Sequence, residues 1–304
     1  MEFRELAAFV AIVEEGSLSA ASRRLHVSQP SLTQTVQGLE HELGVALLQR
    51  TNTGVTPTDA GLTLLTEARA LLARREAALR VMAEHSDRST AVIRLGVPAE
   101  MPAEVLSSAL AALAAARPET RIHPRHLSTA AQISALRSGE LDVGLIRERP
   151  AGDEFDAILV VRENLGVLLD SRVAAEIAGP GGVRLEELAH LEWVGFPRAG
   201  SPAWYDELTG ILRSHGIDPG PATSPDQQPI PAVKFASVTG GHAFTLAPEG
   251  WPEKAPAGVT WCPLVGHPLV RRTWAAWPAD SRRRDIGYLI TAFDTPGPSD
   301  REKR

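Results

Sequence analysis

Two helix-length stripes of apolar residues near the N-terminus, separated by a very short turn, constrain the fold more than any other feature. The first stripe runs from Leu18 to Leu25 and the second from Leu32 to Leu43, both at helical spacing. His26 and Val27 supply the turn between them, and Ser28 stands where the N-cap of the second helix is expected. Two helices joined by so short a turn form a helix-turn-helix.

A short hairpin is predicted directly after the second of these helices. Residues 45–50 are apolar and extended, residues 51–54 are turn formers, and residues 55–56 return. An opening helix that ends at Gly16 precedes the pair. The pattern predicts an all-α winged helix-turn-helix domain over residues 1–58.

A long helix is expected to follow, capped by Thr58 and running to about His85. Its apolar positions are too thinly spread along too great a length to pack on the small N-terminal domain alone. We therefore expect residues 59–88 to form a linker helix that packs against a second copy of itself. These apolar positions include Leu62, Leu65, Leu72 and Leu79.

Strands and helices alternate from Ala91 onward, which predicts an α/β domain with parallel sheets and helices on both faces. The first elements are strands at residues 92–97, 121–127 and 142–146, and helices at residues 103–116 and 130–137. Later strands are predicted at residues 165–169, 191–196, 242–247, 259–264 and 269–277. Residues 218–231 are expected to form a loop, and residues 295–304 a disordered tail.

Composition narrows the class of protein. The formal net charge of −6 argues against indiscriminate binding to nucleic acid, so any DNA contact must come from a local surface. Cys262 is the single cysteine, which excludes an internal disulfide and a cysteine-cluster zinc site. No apolar run is long enough to span a bilayer, and the N-terminus differs from a signal peptide, so a cytoplasmic protein without membrane contact is expected. The sequence has few lysines, Lys234 among them, and we attribute their scarcity relative to arginine to coding bias.

The N-terminal residues resemble LysR-type transcriptional regulators. The resemblance is carried by residues 9–21 (FVAIVEEGSLSAA), 25–32 (LHVSQPSL), 39–45 (LEHELGV), 48–50 (LQR) and 56–61 (TPTDAG). It continues more weakly through residues 93–97, 136–143 and 246–249. It therefore covers nearly the whole chain, with high specificity only before about residue 65.

The resemblance implies an effector-binding domain at residues 91–304, built of two α/β lobes like those of periplasmic binding proteins. Lobe 1 would hold residues 91–161 and 267–294, and lobe 2 residues 162–266, with crossings near Val161 and Gly266. A small-molecule effector would bind between the lobes. The partners implied are double-stranded DNA and further copies of the chain, as a homodimer or homotetramer, with no cofactor.

The face of the third helix that reads DNA follows from its buried stripe. With Leu32, Val36 and Leu39 inward, the outward positions carry hydroxyl and amide side chains, which can hydrogen-bond base edges in the major groove. The hydroxyls at the helix start suit phosphate contacts. The candidate DNA-binding residues are Ser28, Gln29, Pro30, Ser31, Thr33, Gln34, Gln37, Arg50 and Thr53.

Two positions depart from the family pattern. Relatives often carry arginine where this chain has Gln34, and a basic residue near Thr53 at the wing tip. Both are neutral here, which predicts fewer phosphate charge contacts and a shallower salt dependence. Arg50 is the best remaining basic candidate near the wing, and a structural ion pair with an acidic neighbour is its equal alternative.

The family resemblance also points to the residues of the effector site. Ser128 and Thr129 precede a helix, so either a bound acceptor or simple helix capping explains them. Glu100 would repel an anion unless it points outward, whereas Arg198 could offset it, so the charge of the effector stays open. The candidate effector-binding residues are Pro98, Ala99, Glu100, Met101, Ser128, Thr129, Arg198, Ser201 and Pro202.

Other classes of function find little support in the sequence. A nucleophile elbow, a phosphate loop, paired metal-ligand histidines and a dinucleotide fingerprint are all missing from convincing contexts, so an enzyme is not expected. His123 and His126 lie three apart without a third ligand nearby, and no metal is expected there. A DNA-binding protein without an effector remains the alternative, ahead of a metabolic enzyme with a DNA-binding head. The aromatic side chains of lobe 2 are assigned mainly to core packing: Trp193, Trp204, Tyr205, Trp251 and Trp261.

Overall fold

The computed structural model describes residues 1–51, 54–83, 91–221, 231–249 and 255–294. The chain divides into two compact units, the first comprising residues 1–91 with 135–140, and the second residues 92–134 with 141–304. None of the described helices combines the length and hydropathy that a membrane-spanning segment needs. The predicted tail at residues 295–304, most of the predicted loop at 218–231, Thr53, His85 and Trp251 lie outside the described residues.

The first unit has the predicted winged helix-turn-helix. Its helices and strands are α1 (Phe3–Glu15), α2 (Leu18–Leu25), α3 (Gln29–Leu43), β1 (Leu48–Thr51), β2 (Gly54–Pro57) and α4 (Asp59–Ala83). β1 and β2 pair antiparallel as the wing, with Leu48 opposite Pro57. The first wing strand begins later than predicted, because the Glu40 carboxylate accepts hydrogen bonds from the backbone N–H groups of Leu47 (2.8 Å) and Leu48 (3.1 Å).

Short-range hydrogen bonds set the helix boundaries where the sequence predicted them. The hydroxyls of Ser17 and Ser28 accept from the N–H groups of Ala20 and Ser31, three residues further on. The Thr58 hydroxyl accepts from the Gly61 N–H at 3.0 Å and so caps α4. α1 and α3 end at glycines in the left-handed region, with φ of 62° at Gly16 and 69° at Gly44.

The apolar stripes of the helix-turn-helix meet in the core of this unit. Leu32, Val36 and Leu39 of α3 are buried as predicted, together with Phe9 and Ile12 of α1. The wing is attached to the same core, because the backbone N–H of Val55 donates to the carbonyl of Gly16 at 2.9 Å. Packing and this hydrogen bond therefore fix the orientation of α3 relative to the wing.

The second unit is the predicted α/β domain. Its strands are β3 (Val92–Val97), β4 (Arg121–His126), β5 (Val143–Ile146), β6 (Phe155–Asp170), β7 (Glu192–Trp193), β8 (Ala243–Pro248), β9 (Val259–Cys262) and β10 (Val270–Pro278). Its helices are α5 (Ala103–Ala116), α6 (Thr129–Arg137), α7 (Ser171–Ile177), α8 (Pro202–Ser214), α9 (Pro231–Val238) and α10 (Arg284–Asp294). The sequence analysis did not predict the last four helices.

The prediction of parallel sheets is only partly right. β3 is parallel to β4 and β5, but β10 is antiparallel to β5 and β6, and β6 is antiparallel to β8 and β9. The periodicity of apolar residues reports burial and not strand direction, so the reversed strand β10 could not be recognised. β6 was predicted only over residues 165–169 and in fact begins at Phe155, where polar and apolar residues mix along a strand shared by both lobes.

Two hydrophobic cores define the lobes within the second unit. The core of lobe 1 includes Ile93, Leu145 and Leu289, and that of lobe 2 includes Val167 and Phe244. β6 and β10 pair side by side through the crossing, from Val270 opposite Asn164 to Pro278 opposite Phe155. The lobes are therefore joined by two adjacent antiparallel strands.

A buried ion network joins β3, the start of β5 and the start of α10 in lobe 1. Asp142, at the start of β5, accepts three hydrogen bonds from Arg94 at 2.8 to 3.0 Å. Arg283 pairs with Asp142 at 3.0 Å and with Asp285 at 2.7 Å. Burial alone would raise the pKa of Asp142, but the hydrogen bonds from Arg94 and the charge of Arg283 outweigh it and hold the pKa below its usual value.

Replacing Asp142 with alanine leaves two partly buried arginines without their shared carboxylate, so D142A should lose on the order of 3–5 kcal/mol of unfolding free energy. The control is D206A, because Asp206 pairs with Arg198 in an exposed pair at 2.6 Å whose loss should cost less than about 1 kcal/mol. Urea unfolding followed by tryptophan fluorescence measures both, since all six tryptophans belong to the second unit. Equal losses in the two variants would contradict the role of the network.

Candidate DNA-reading surface and effector cavity

The outward face of α3 carries the predicted DNA-binding side chains. Gln34 and Gln37 are exposed, Thr33 is half-buried, and residues 28–31 at the start of the helix are exposed. Leu32 and Val36 point the opposite way into the core. The helix therefore presents hydroxyl and amide groups along one solvent-facing stripe.

Hydrogen bonds within the N-terminal domain distinguish these polar groups. The Gln29 amide oxygen accepts from the Ser19 hydroxyl at 3.1 Å, and the Thr33 hydroxyl donates to the Gln29 carbonyl at 3.0 Å. The side-chain amides of Gln34 and Gln37 form no hydrogen bond within the part of the chain that the structure describes. Their amides keep both donors and acceptors available for a base edge.

Several basic residues of the N-terminal domain are already paired. Arg24 bonds Glu14 at 2.9 Å and Glu15 at 3.2 Å, and Arg69 bonds Glu14 at 3.0 Å. Arg50 lies in β1 opposite Val55, and its side chain is not among those described.

Arg23 is a candidate that the sequence analysis missed. Its side chain is exposed on α2 and forms no ion pair with a described residue. It lies four residues after Ser19, which bonds Gln29 at the start of α3, so Arg23 and Ser19 share one face of α2. That spacing is the signal in the sequence that could have identified it.

A cavity of about 320 Å³ lies within the second unit, where loops of both lobes meet β6 and β10. Six of the nine predicted effector residues line it: Pro98, Ala99, Glu100, Ser128, Thr129 and Ser201. Three do not. Met101 packs against the core of lobe 1, Arg198 is exposed and paired with Asp206, and Pro202 starts α8.

The apolar part of the cavity comes mainly from lobe 2. Leu165, Trp193, Phe196, Trp204 and Leu208 line it. The assignment of these tryptophans to the core is right in that both are buried, and each also contributes to the cavity wall. Elsewhere in lobe 2, Tyr205 is buried, and the indole of Trp261 donates to the Ala247 carbonyl at 2.9 Å.

Glu100 is held in the cavity by two cations from distant parts of the chain. Its carboxylate pairs with Lys234 of α9 at 2.5 Å and with Arg271 of β10 at 2.7 Å. Arg271 also pairs with Glu163 of β6 at 3.0 Å. Burial alone would raise the pKa of Glu100, but the charges of Lys234 and Arg271 outweigh it and lower the pKa.

These contacts correct two expectations from the sequence. The negative charge of Glu100 is balanced by Lys234 and Arg271, whereas Arg198, which the sequence offered as one candidate to offset it, pairs with Asp206. Lys234, which was given no functional weight from the sequence, is buried and contributes to the cavity. Neither cation could be assigned from spacing, because Lys234 lies 134 residues and Arg271 171 residues from Glu100.

Arg147 is the third cation of the cavity, and its partners are neutral. Its guanidinium donates to the Ala99 carbonyl at 2.5 Å and to the Thr273 hydroxyl. The residue as a whole is only 9% exposed. Among the described residues, no carboxylate forms an ion pair with it. Burial and then the charge of Arg271 lower the pKa of Arg147 to about 9, which leaves it protonated at neutral pH.

The hydroxyls at the start of α6 and α8 have different roles. The Ser128 hydroxyl accepts from the Ala131 N–H at 3.3 Å, so the capping interpretation fits this residue. The Thr129 hydroxyl accepts from the Arg147 backbone N–H at 3.1 Å and so helps to position the backbone of Arg147. The Ser201 hydroxyl is buried in the cavity wall and has no hydrogen-bond partner among the described residues.

Replacing Glu100 with glutamine should make the stability of the second unit less dependent on pH. The folded pKa of Glu100 lies below its ordinary value of 4.5, so its ionised form contributes stability above that pH, and this contribution is lost as the pH falls through the folded pKa. E100Q should therefore be less stable by on the order of 2 kcal/mol at pH 7, and the difference should shrink below pH about 4.5.

Denaturant unfolding at a series of pH values measures this difference. The matched control is E207Q, because Glu207 pairs with Arg272 at 3.2 Å with half of its side chain exposed, and this change should have little effect at any pH. A gap between E100Q and the parent that stays constant from pH 7 to pH 4 would contradict the assignment.

Comparisons with known proteins agree with this architecture. The family model for bacterial regulatory helix-turn-helix proteins of the lysR family matches residues 3–62, and that for the LysR substrate binding domain matches residues 86–291. The HTH-type transcriptional regulator ClcR of Pseudomonas putida is 32% identical over 260 residues, covering 83% of this chain and 86% of that protein. TcbR of Pseudomonas sp. (strain P51) is 30% identical over 270 residues, covering 84% and 87%.

The fold is also that of a solved regulator. CbnR, a LysR family transcriptional regulator, has a TM-score of 0.73 at 23% sequence identity, covering 97% of this chain and 98% of that chain. The two family matches together span both units of the chain, and the proteins they describe are regulators and not enzymes. The chain therefore belongs to the LysR family of DNA-binding transcriptional regulators, with an effector-binding domain that follows the helix-turn-helix.

Proposed function

We propose that the protein recognises its target DNA through Gln34 and Gln37 of α3, and that a small molecule bound in the cavity controls this recognition. The observation that carries the first part is the exposure of two amides without hydrogen-bond partners among the described residues. They lie three residues apart on one helix face, a spacing that lets both enter a major groove together. The solved structure of CbnR with its target DNA supports this use of the fold.

The remaining candidates fit contacts with the DNA backbone. The exposed hydroxyls of Ser28 and Ser31 at the start of α3 suit phosphates, and Arg23 adds a charge on the neighbouring helix. Gln29, Pro30 and Thr33 would pack beside the readout residues, with Arg50 and Thr53 in the wing. Because Arg24 and Arg69 already pair with carboxylates and Gln34 is neutral, we expect a shallow dependence of affinity on salt.

Dimerisation through α4 would supply affinity that a single DNA-binding domain lacks. Over its 25 residues α4 reaches roughly 37 Å. Leu65, Ala68 and Leu72 pack against the N-terminal core, whereas Leu79 is 52% and Met82 66% exposed further along the same helix. A second copy of α4 is the partner that a continuing apolar stripe of this kind favours.

In this proposal residues 1–58 bind DNA, residues 59–88 form the linker and residues 91–304 sense the effector. A ligand between the lobes would shift their closure and so repack the dimer or tetramer on DNA. It must bind the two states with different affinity for this to occur. Since the chromosome of a bacterium lies in the cytoplasm, the protein would act there.

Gln34→Ala tests the DNA-reading assignment. Losing a bidentate amide should cost about 1–3 kcal/mol on the target sequence and much less on unrelated DNA, because non-specific affinity comes from phosphate contacts. Footprinting on the DNA beside the gene of the protein locates the target, and titration of target and scrambled duplexes gives both affinities.

The comparison variant is Arg23→Ala, which should weaken binding to target and scrambled duplexes by a similar factor and reduce the salt slope by about one. An equal loss on all sequences for Q34A would remove Gln34 from base readout. A footprint missing under every condition would contradict the proposed function itself.

The assembly is tested by placing charges on the exposed end of α4. A double variant, Leu79→Glu with Met82→Glu, should shift the protein from dimer toward monomer in analytical ultracentrifugation, because buried like charges oppose pairing of the two copies. Val265→Glu is the control, since Val265 is 47% exposed on the second unit, far along the chain from α4. Unchanged mass in the double variant would exclude α4 from the interface.

A further inference from the structure

We propose that Glu100 acts as a built-in anion that occupies the Lys234 and Arg271 pair, so that the effector is a small apolar acid with a single carboxylate that binds Arg147. This inference rests on the proposed function, because it names the chemical class of ligand for the same cavity. It resolves the charge of the effector, which the sequence left open.

The charge balance of the cavity carries the argument. Three cations, Lys234, Arg271 and Arg147, line the cavity together with the carboxylate of Glu100, and Glu163 of β6 pairs with Arg271 without lining the cavity itself. Both carboxylates are taken up by Lys234 and Arg271, at 2.5 to 3.0 Å. One positive charge is therefore left, on the cation whose hydrogen-bond acceptors are both neutral.

Arg147 is placed to receive an anion. Its two terminal nitrogens bond the Ala99 carbonyl and the Thr273 hydroxyl, which leaves further N–H donors of the five that a guanidinium carries. Burial and the like charge of Arg271 disfavour the ionised form of Arg147, and the charges of Glu163 and Glu100 offset these two effects only in part. A carboxylate at this position would relieve that cost and gain charge-assisted hydrogen bonds.

The remaining wall sets the body of the ligand. Leu165, Trp193, Phe196 and Leu208 form an apolar surface in a cavity of about 320 Å³, at the small end of the range for ligand pockets. The Ser201 hydroxyl adds one buried group with no partner among the described residues. An apolar or aromatic acid of about one ring, with room for one further polar atom, fits these features.

Glu100 also explains why a ligand with a second carboxylate should bind more weakly. Its backbone has φ of 60°, a left-handed conformation that a non-glycine residue rarely adopts. Arg271 holds it there through the Glu100 carbonyl at 3.1 Å as well as through the carboxylate. A dicarboxylate would have to displace this restrained side chain or leave its second charge facing Glu100. The Glu100 carboxylate therefore occupies the position beside Lys234 and Arg271 that a second ligand carboxylate would need.

Three probes that share one ring test the inference by calorimetric titration of the full-length protein. Benzoate carries one carboxylate, phthalate carries two and benzamide carries none. The protein should bind benzoate at least about tenfold more tightly than either of the others, the ratio that one uncompensated charge contact produces. Equal binding of benzoate and benzamide, equal binding of benzoate and phthalate, or no detectable binding of benzoate would each overturn the inference.

Variants test separately the role of Arg147 in binding the carboxylate and the role of Glu100 as the built-in anion. R147M should lose benzoate binding by at least about tenfold, whereas R147K should retain most of it. E100Q, which keeps the shape of the side chain, should raise the affinity for phthalate relative to benzoate by at least about tenfold, because the negative charge that repels a second carboxylate is removed. R198M is the control and should leave every affinity unchanged, since Arg198 lies outside the cavity.

Folding of each variant is checked by its tryptophan fluorescence, and the comparison of the three probes on the parent protein stands without any variant. Unchanged benzoate binding in R147M, or an unchanged probe ratio in E100Q, would overturn the inference. A footprint on DNA together with the wrong probe preference overturns only this inference. Loss of the footprint instead contradicts the proposed function.

Discussion

The ion network around Glu100 is the interaction on which the effector domain depends. It joins the loop after β3 in lobe 1 to α9 in lobe 2 through Lys234, and to the crossing strands through Arg271 and Glu163. A buried network of this kind is costly unless each charge is paired, so its geometry is restrained as a whole. It fixes how the lobes face each other around the cavity and which charges are left for a ligand.

Two residues of this network, Glu163 and Arg271, belong to the strands that cross between the lobes. β6 and β10 run side by side between the lobes, and their register shifts between Thr273 and Trp274, close to where Arg147 contacts Thr273. A ligand at Arg147 would therefore contact the strands about which the lobes must move. Small changes at such a point can bias the closure of two rigid lobes, provided that the ligand binds one arrangement better.

Local chemistry explains what could be predicted from the sequence. The helix-turn-helix and the helix caps at Ser28 and Thr58 depend on residues within a few positions of each other, and these predictions are confirmed. The direction of β10 and the partners of Glu100 depend on residues more than a hundred positions apart, where no periodicity carries information. Arg198 was assigned to the cavity from the family resemblance of its loop, although its side chain forms an exposed ion pair with Asp206, eight residues later.

The central claim is that ligand binding in the cavity and DNA binding by α3 are coupled. The most direct measurement is the affinity of the full-length protein for its target duplex with and without saturating benzoate, together with the affinity for benzoate with and without the duplex. Thermodynamic linkage predicts that both affinities change by the same factor, on the order of 5–150-fold for a typical allosteric protein. Two affinities that are each unaffected by the other ligand would contradict the account.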